Sequence, residues 1–119
     1  MVGLFKHPKR RIKKLIKDGE YDEAISFGKS LESEYSEDHD FMFIMGSVYF
    51  IVDDAKKALP YFEKAFELDK NDIENLTLKT NVHLALQQKD KAIECCKRIL
   101  QLQPKNSEAS DLLDELESI

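Results

Sequence analysis

Three alanines, Ala24, Ala58 and Ala92, stand 34 residues apart and then 34 apart again, inside the related phrases YDEAISF, AKKALPYF and KDKAIECC. Other positions keep the same register: Met42 with Leu76, Gly46 with Thr80, Tyr49 with His83 and Phe62 with Cys96. A period of 34 with a small residue, an aromatic and a fixed alanine in each unit is the signature of stacked helical hairpins, each burying its apolar face against its neighbours. With 4 Gly and 3 Pro in 119 residues, strand-turn signals are scarce, and the remainder favours helix formers. The expected fold class is therefore all-α, in one domain spanning residues 1–119: repeat 1 about 5–38, repeat 2 about 39–72, repeat 3 about 73–106, and a capping helix about 107–118.

Caps and periodicity place the helices. Helix 1 is expected from Pro8, a favoured first-turn proline, to Lys17, with Gly19 freeing the turn that follows; helix 2 runs from Tyr21 to Tyr35. Helix 3 spans His39 to Val52, and helix 4 spans Ala55 to Asp69 with Asp54 as N-cap and Pro60 inside it. Helix 5 runs from Asp72 to Gln87, and helix 6 from Lys89 to Leu102, stopped by Pro104. Helix 7, Ser107 to Ser118, has Ala109, Leu112, Leu113 and Leu116 on one face and acids on the other, as suits a cap on the last repeat. The alanines are expected opposite Gly46 and Thr80, where paired helices approach closely.

These positions resemble the tetratricopeptide repeat family. Met42, Met45, Gly46, Tyr49, Ala58 and Phe62 meet its pattern in the middle unit, and Leu76, Thr80, His83, Ala92, Cys96 and Pro104 in the third. Lys70 replaces the middle unit's proline, and Lys79 fills an apolar position in the third. The first unit has GEYDEA at its turn, but Pro8 and Arg11 where bulky apolar residues are usual. The resemblance covers about residues 8–104 and implies a right-handed α-solenoid that binds partners on the concave face formed by helices 1, 3 and 5.

Carried through the register, the resemblance assigns groove-facing positions to Lys6, Lys9, Lys13, Ile16 and Lys17. Asp40, Phe43, Ser47, Phe50 and Ile51 follow in the second unit, then Glu74, Thr77, Asn81, Leu84 and Ala85. The stretch FMFIMGSVYFIV, Phe41 to Val52, decides among them. It is apolar on nearly every side yet too short to cross a bilayer. Repeat packing accounts for Met42, Met45, Gly46 and Tyr49, leaving Phe43, Phe50 and Ile51 as surplus apolar residues of the kind that anchor a bound peptide or helix. The expected binding groove is Lys9, Lys13, Phe43, Ser47, Phe50, Ile51 and Asn81. A second copy of the chain is an alternative occupant of the same patch. Some relatives clamp a partner's terminal carboxylate with Lys, Asn, Asn, Lys and Arg. Here Lys9 fits, but Lys13, Ile44, Glu74 and Leu78 occupy the other four positions, which argues against that clamp.

Charge is segregated: residues 1–17 hold seven bases and no acid, and the rest holds 11 bases and 23 acids. This basic arm could solvate one end of the solenoid or meet an acidic partner. Nucleic acid is disfavoured, since Phe5 is the arm's one stacking aromatic and the acidic body repels phosphate. Binding of an anionic membrane is also disfavoured: Pro8 interrupts the arm and no lipidation motif is present. No signal-peptide core is seen, so the expected location is cytoplasmic. Catalysis, cofactors and metals have no motif: His7, His39 and His83 are scattered, and His83 takes a packing position. Adjacent Cys95 and Cys96 suit reduced thiols, with Cys96 buried and Cys95 half-exposed.

Overall fold

Residues 7–118 are described by the structure, a computed structural model, and they form seven α-helices with no strand among them. These are α1 (Pro8–Lys17), α2 (Tyr21–Leu31), α3 (His39–Ile51), α4 (Ala55–Leu68), α5 (Ile73–Ala85), α6 (Lys89–Leu102) and α7 (Ser107–Glu117). Phe5 and Lys6, counted above in the basic arm, lie outside the described residues. Antiparallel pairs α1/α2, α3/α4 and α5/α6 stack in sequence, α7 packs on α6, and the result is a helical-repeat rod of 53 × 25 × 22 Å. None of the described helices is long and apolar enough to cross a membrane.

Identical backbone turns close the three hairpins. Gly19, Asp53 and Gln87, 34 residues apart, all have positive φ, at 78°, 65° and 59°. In each turn the next residue's N–H reaches back five residues, from Glu20 to Leu15 (2.8 Å), Asp54 to Tyr49 (2.9 Å) and Gln88 to His83 (2.8 Å). A second bond joins Gly19 to Ile16, Asp53 to Phe50 and Gln87 to Leu84, each 3.0 Å. Together these are the two crossed bonds of a Schellman C-cap, which satisfy carbonyls left over at a helix end and require a left-handed residue between them. Glycine adopts that conformation freely, whereas Asp53 and Gln87 carry the cost of a side chain there.

Helix 2 was the one element expected to run markedly longer: it ends at Leu31, not Tyr35. Residues 32–37 form successive turns instead, with the Glu34 and Tyr35 amides both reaching the Leu31 carbonyl at 3.1 Å. The turns bring the Tyr35 ring onto Phe41 at 5.4 Å and set Asp38 as the N-cap of α3, its carboxylate accepting from the Phe41 amide at 2.9 Å. A straight helix to Tyr35 forgoes both contacts. Helix 4 continues through Pro60, as its pattern required.

Close approach of the helices occurs at Gly46, although its neighbour is the Phe62 ring and not Ala58. A Cβ built on Gly46 falls 2.8 Å from that ring, and one on Gly28 falls 2.3 Å from the Met45 sulfur. Gly28 stands at the register position of Phe62 and Cys96, and Ile12 at that of Gly46 and Thr80. Along the register large and small residues change places, Ile12 and Gly28, Gly46 and Phe62, Thr80 and Cys96, and the space at Gly28 is filled by Met45 of the next unit. Asn75, wholly buried, donates from Nδ2 to the Phe62 carbonyl at 3.1 Å and ties α5 to α4. The two bases at apolar positions lie over aromatic faces: Arg11 is 5.8 Å from the Phe27 centroid and Lys79 is 4.3 Å from that of Phe66. Their alkyl stems can pack while the charges stay wet.

Gly19 has nothing within 4 Å of an added Cβ, so Gly19→Ala tests backbone strain alone. It should cost about 1 kcal/mol, and Gln87→Gly should add roughly 0.5 kcal/mol, both read from urea midpoints. Gly46→Ala, which drives a rigid buried ring, should cost more than Gly28→Ala, which displaces the end of a flexible methionine.

Candidate functional site

One layer of the rod is built from α1, α3 and α5 lying side by side, and its face holds a recess of about 280 Å3. Lys13 and Ile16 of α1, Asp40, Phe43, Ile44 and Ser47 of α3, and Glu74 of α5 line it. The register explains the gathering: Lys13, Ser47 and Asn81 are 34 apart, as are Lys6, Asp40 and Glu74. Of the groove positions expected from sequence, Lys13, Phe43 and Ser47 come together here. Asp40, Glu74 and Ile16, groove-facing in the same register, join them and add two carboxylates and an apolar side chain to the lining.

Phe43 is half-buried, its ring meeting Phe62 edge-on with centroids 6.0 Å apart and planes at 62°. That contact holds the ring against the core while the side chain also lines the recess. The Ser47 hydroxyl donates to the Phe43 carbonyl at 2.7 Å, which leaves its oxygen able to accept. Lys13 is exposed and makes no ion pair among the described residues. The recess is thus cationic on the α1 side, apolar along its floor and anionic on the α5 side.

The remaining expected residues are placed elsewhere. Phe50 lies two turns along α3 from Phe43, half-buried against the core. Ile51 stands out at the helix end, 48% exposed. Asn81 lines a separate recess of about 270 Å3 between α5, α6 and α7, with Thr77, Ile99, Asn106 and Leu112. Lys9 is engaged by the chain itself: its ammonium donates to Asp38 at 2.9 Å and lies 3.7 Å from Asp40. Hydrogen bonding to Asp38 raises the Lys9 pKa against the desolvation that lowers it. Burial pushes the Asp38 carboxyl up, but the Phe41 amide and Lys9 outweigh it and hold the group below its ordinary value. His39 of α3 also approaches α5, its Nε2 3.0 Å from the carboxylate of Asp72, the N-cap of α5, without making a hydrogen bond.

The thiols and His83 pack. Cys95 is 6% exposed, not half-exposed as expected, because α5 covers its side of α6 and Thr80 approaches it. Burial raises both thiol pKa values. His83, 2% exposed, has its pKa lowered by desolvation and meets Gln88 at 2.8 Å through Nδ1.

The profile of the tetratricopeptide repeat matches residues 51–116, more than half of the sequence. The chain belongs to the tetratricopeptide repeat family. Comparison with curated proteins gives no match. Among solved structures, the first tetratricopeptide repeat domain of Spaghetti (RPAP3), bound to the HSP90 peptide SRMEEVD, superposes with a TM-score of 0.83. Identity is 24%, over 93% of this chain and 88% of that one. The second such domain of human RPAP3, in complex with the HSP70 peptide SGPTIEEVD, gives 0.81 at 18% identity, covering 92% of both chains. PcrH in complex with the chaperone-binding region of PopD gives 0.84 at 16% identity, over 99% of this chain and 94% of that one. At these identities the likeness is one of fold.

Asp38→Asn keeps an N-cap acceptor while removing the charge that Lys9 meets. A depressed carboxyl pKa contributes stability that is present above its unfolded value, about 4, and is lost as pH falls through the folded one. The stability gap between wild type and Asp38→Asn, measured in urea at several pH values, should therefore hold near neutrality and shrink below about pH 4. The raised Lys9 pKa makes the same gap shrink again only when pH rises through it, above about 10.5.

Proposed function

We propose that this chain is a non-catalytic protein-interaction module that captures a peptide or helix of a partner protein on the α1/α3/α5 face. The observation that carries the reading is the recess in which half-buried Phe43 lies between Lys13 and the acids Asp40 and Glu74. An aromatic held by the core on one side and open on the other is a low-entropy anchor for an apolar side chain. The flanking charges fix register, with Lys13 selecting acidic neighbours and the α5 wall selecting basic ones. The family and the peptide-bound neighbours support a role in recognising partner segments. Phe50 and Ile51 extend the apolar track beyond the recess.

This groove is poorly matched to the acidic peptides bound by the RPAP3 domains. Lys9 is already neutralised by Asp38, Ile44 is buried with no amide to offer, and Glu74 repels a carboxylate. Lys13 together with Asp40 and Glu74 favours a partner segment of mixed charge. A location in the cytoplasm fits the reduced, buried cysteine pair.

Phe43→Ala and, separately, Lys13→Glu should each deplete the proteins recovered by affinity purification and mass spectrometry, with helicity unchanged by circular dichroism. Recovery identical to wild type for both variants would sink the groove assignment. The peptide SRMEEVD should bind at least tenfold more weakly than a typical micromolar partner peptide in calorimetry.

A further inference from the structure

The two ends of the rod carry opposite charge. α1 holds six bases, Lys9, Arg10, Arg11, Lys13, Lys14 and Lys17, and no acid; α7 holds five acids, Glu108, Asp111, Asp114, Glu115 and Glu117, and no base. Of the α7 acids, only Glu117 has a cationic partner among the described residues, Lys97 at 3.7 Å. On α1, Arg10, Lys14 and Lys17 form one stripe at helical spacing. Among the described residues its single ion pair is the exposed Lys14 to Asp18 contact at 3.0 Å, a type of pair worth little. The helices sit at opposite ends of a 53 Å rod and do not touch, so one molecule cannot bring these charges together.

α7 also has an unfinished apolar side. In the 34-residue register Leu113 and Leu116 correspond to Met45 and Val48 of α3, both 0% exposed, and Leu116 to Val82 of α5, also 0% exposed. α3 and α5 each have a following helix packed upon them. Among the described residues α7 has none, and its two leucines stay partly exposed amid the acids. What fits such a face is a helix with long cationic side chains, whose alkyl stems cover leucine while their heads reach carboxylates. The chain presents that helix at its other end.

We propose that the molecule associates with copies of itself end to end, α1 of one copy resting on α7 of the next. The contact is separate from the Phe43 recess and leaves it open. The cross-section of about 25 × 22 Å limits the burial to at most roughly 1,000 Å2 over both partners, the lower margin of specific interfaces. Association is accordingly weak and salt-sensitive. Because the two surfaces differ, it is open-ended and does not stop at two copies.

Sedimentation velocity on the full chain tests this. At about 20 mM salt, where screening reaches roughly 20 Å, the average mass should climb with concentration beyond twice the 13.8 kDa monomer. At about 0.3 M salt the association constant should fall at least tenfold. A head variant (Arg10→Glu, Lys14→Glu, Lys17→Glu) and a tail variant (Asp111→Lys, Asp114→Lys, Glu115→Lys) should each remain monomeric alone. Mixed, they should associate again, since each then offers what the other lacks. A milder tail set (Asp111→Asn, Asp114→Asn, Glu115→Gln) guards against misfolding and should also stay monomeric, with helicity checked by circular dichroism. The proposal is overturned by a wild type that stays monomeric at low salt, by a species that stops at two copies, by variants that associate alone, or by a mixture that does not.

Discussion

Contact between Gly46 and the Phe62 ring sets the spacing on which the stack depends. With the ring less than 3 Å from where a Cβ would stand, α3 and α4 meet backbone to aromatic face, and Phe62 is wholly enclosed. In the first unit the corresponding positions hold Ile12 and Gly28, and in the third Thr80 and Cys96, so the large residue changes place from unit to unit. At Gly28 the space is taken by Met45 of the next unit. A packed interior constrains the sum of facing volumes more tightly than any one of them.

Much of the fold was legible because the constraint repeats. Ala24, Ala58 and Ala92 marked the period, and six of seven helices fall within two residues of their expected bounds. Gly19 alone announced a left-handed turn; Asp53 and Gln87 occupy the same conformation without glycine, and only the period points to them. What escaped the sequence depended on pairings outside the period. The end of α2 is decided by Tyr35 stacking on Phe41, and the burial of Cys95 by how α5 covers α6.

The groove was legible in part for the same reason. Register identifies which residues share a face, so Lys13, Phe43 and Ser47 were found together. It does not say which charges are already spent. Lys9 looks available along the chain, yet Asp38, drawn in by the turns after α2, neutralises it. Family membership fixes architecture here, while the recess chemistry, with Lys13, Asp40 and Glu74 beside an aromatic ring, belongs to this chain.

The three turns at Gly19, Asp53 and Gln87 bear on how such a molecule changes over time. Each repeats the same main-chain bonds and the same sign of one torsion, whether glycine, aspartate or glutamine stands there. The turn is therefore written in the backbone, much as a screw thread is carried by its shaft. Faces can drift toward new ligands, and whole units can be duplicated or lost, without the geometry having to be invented again.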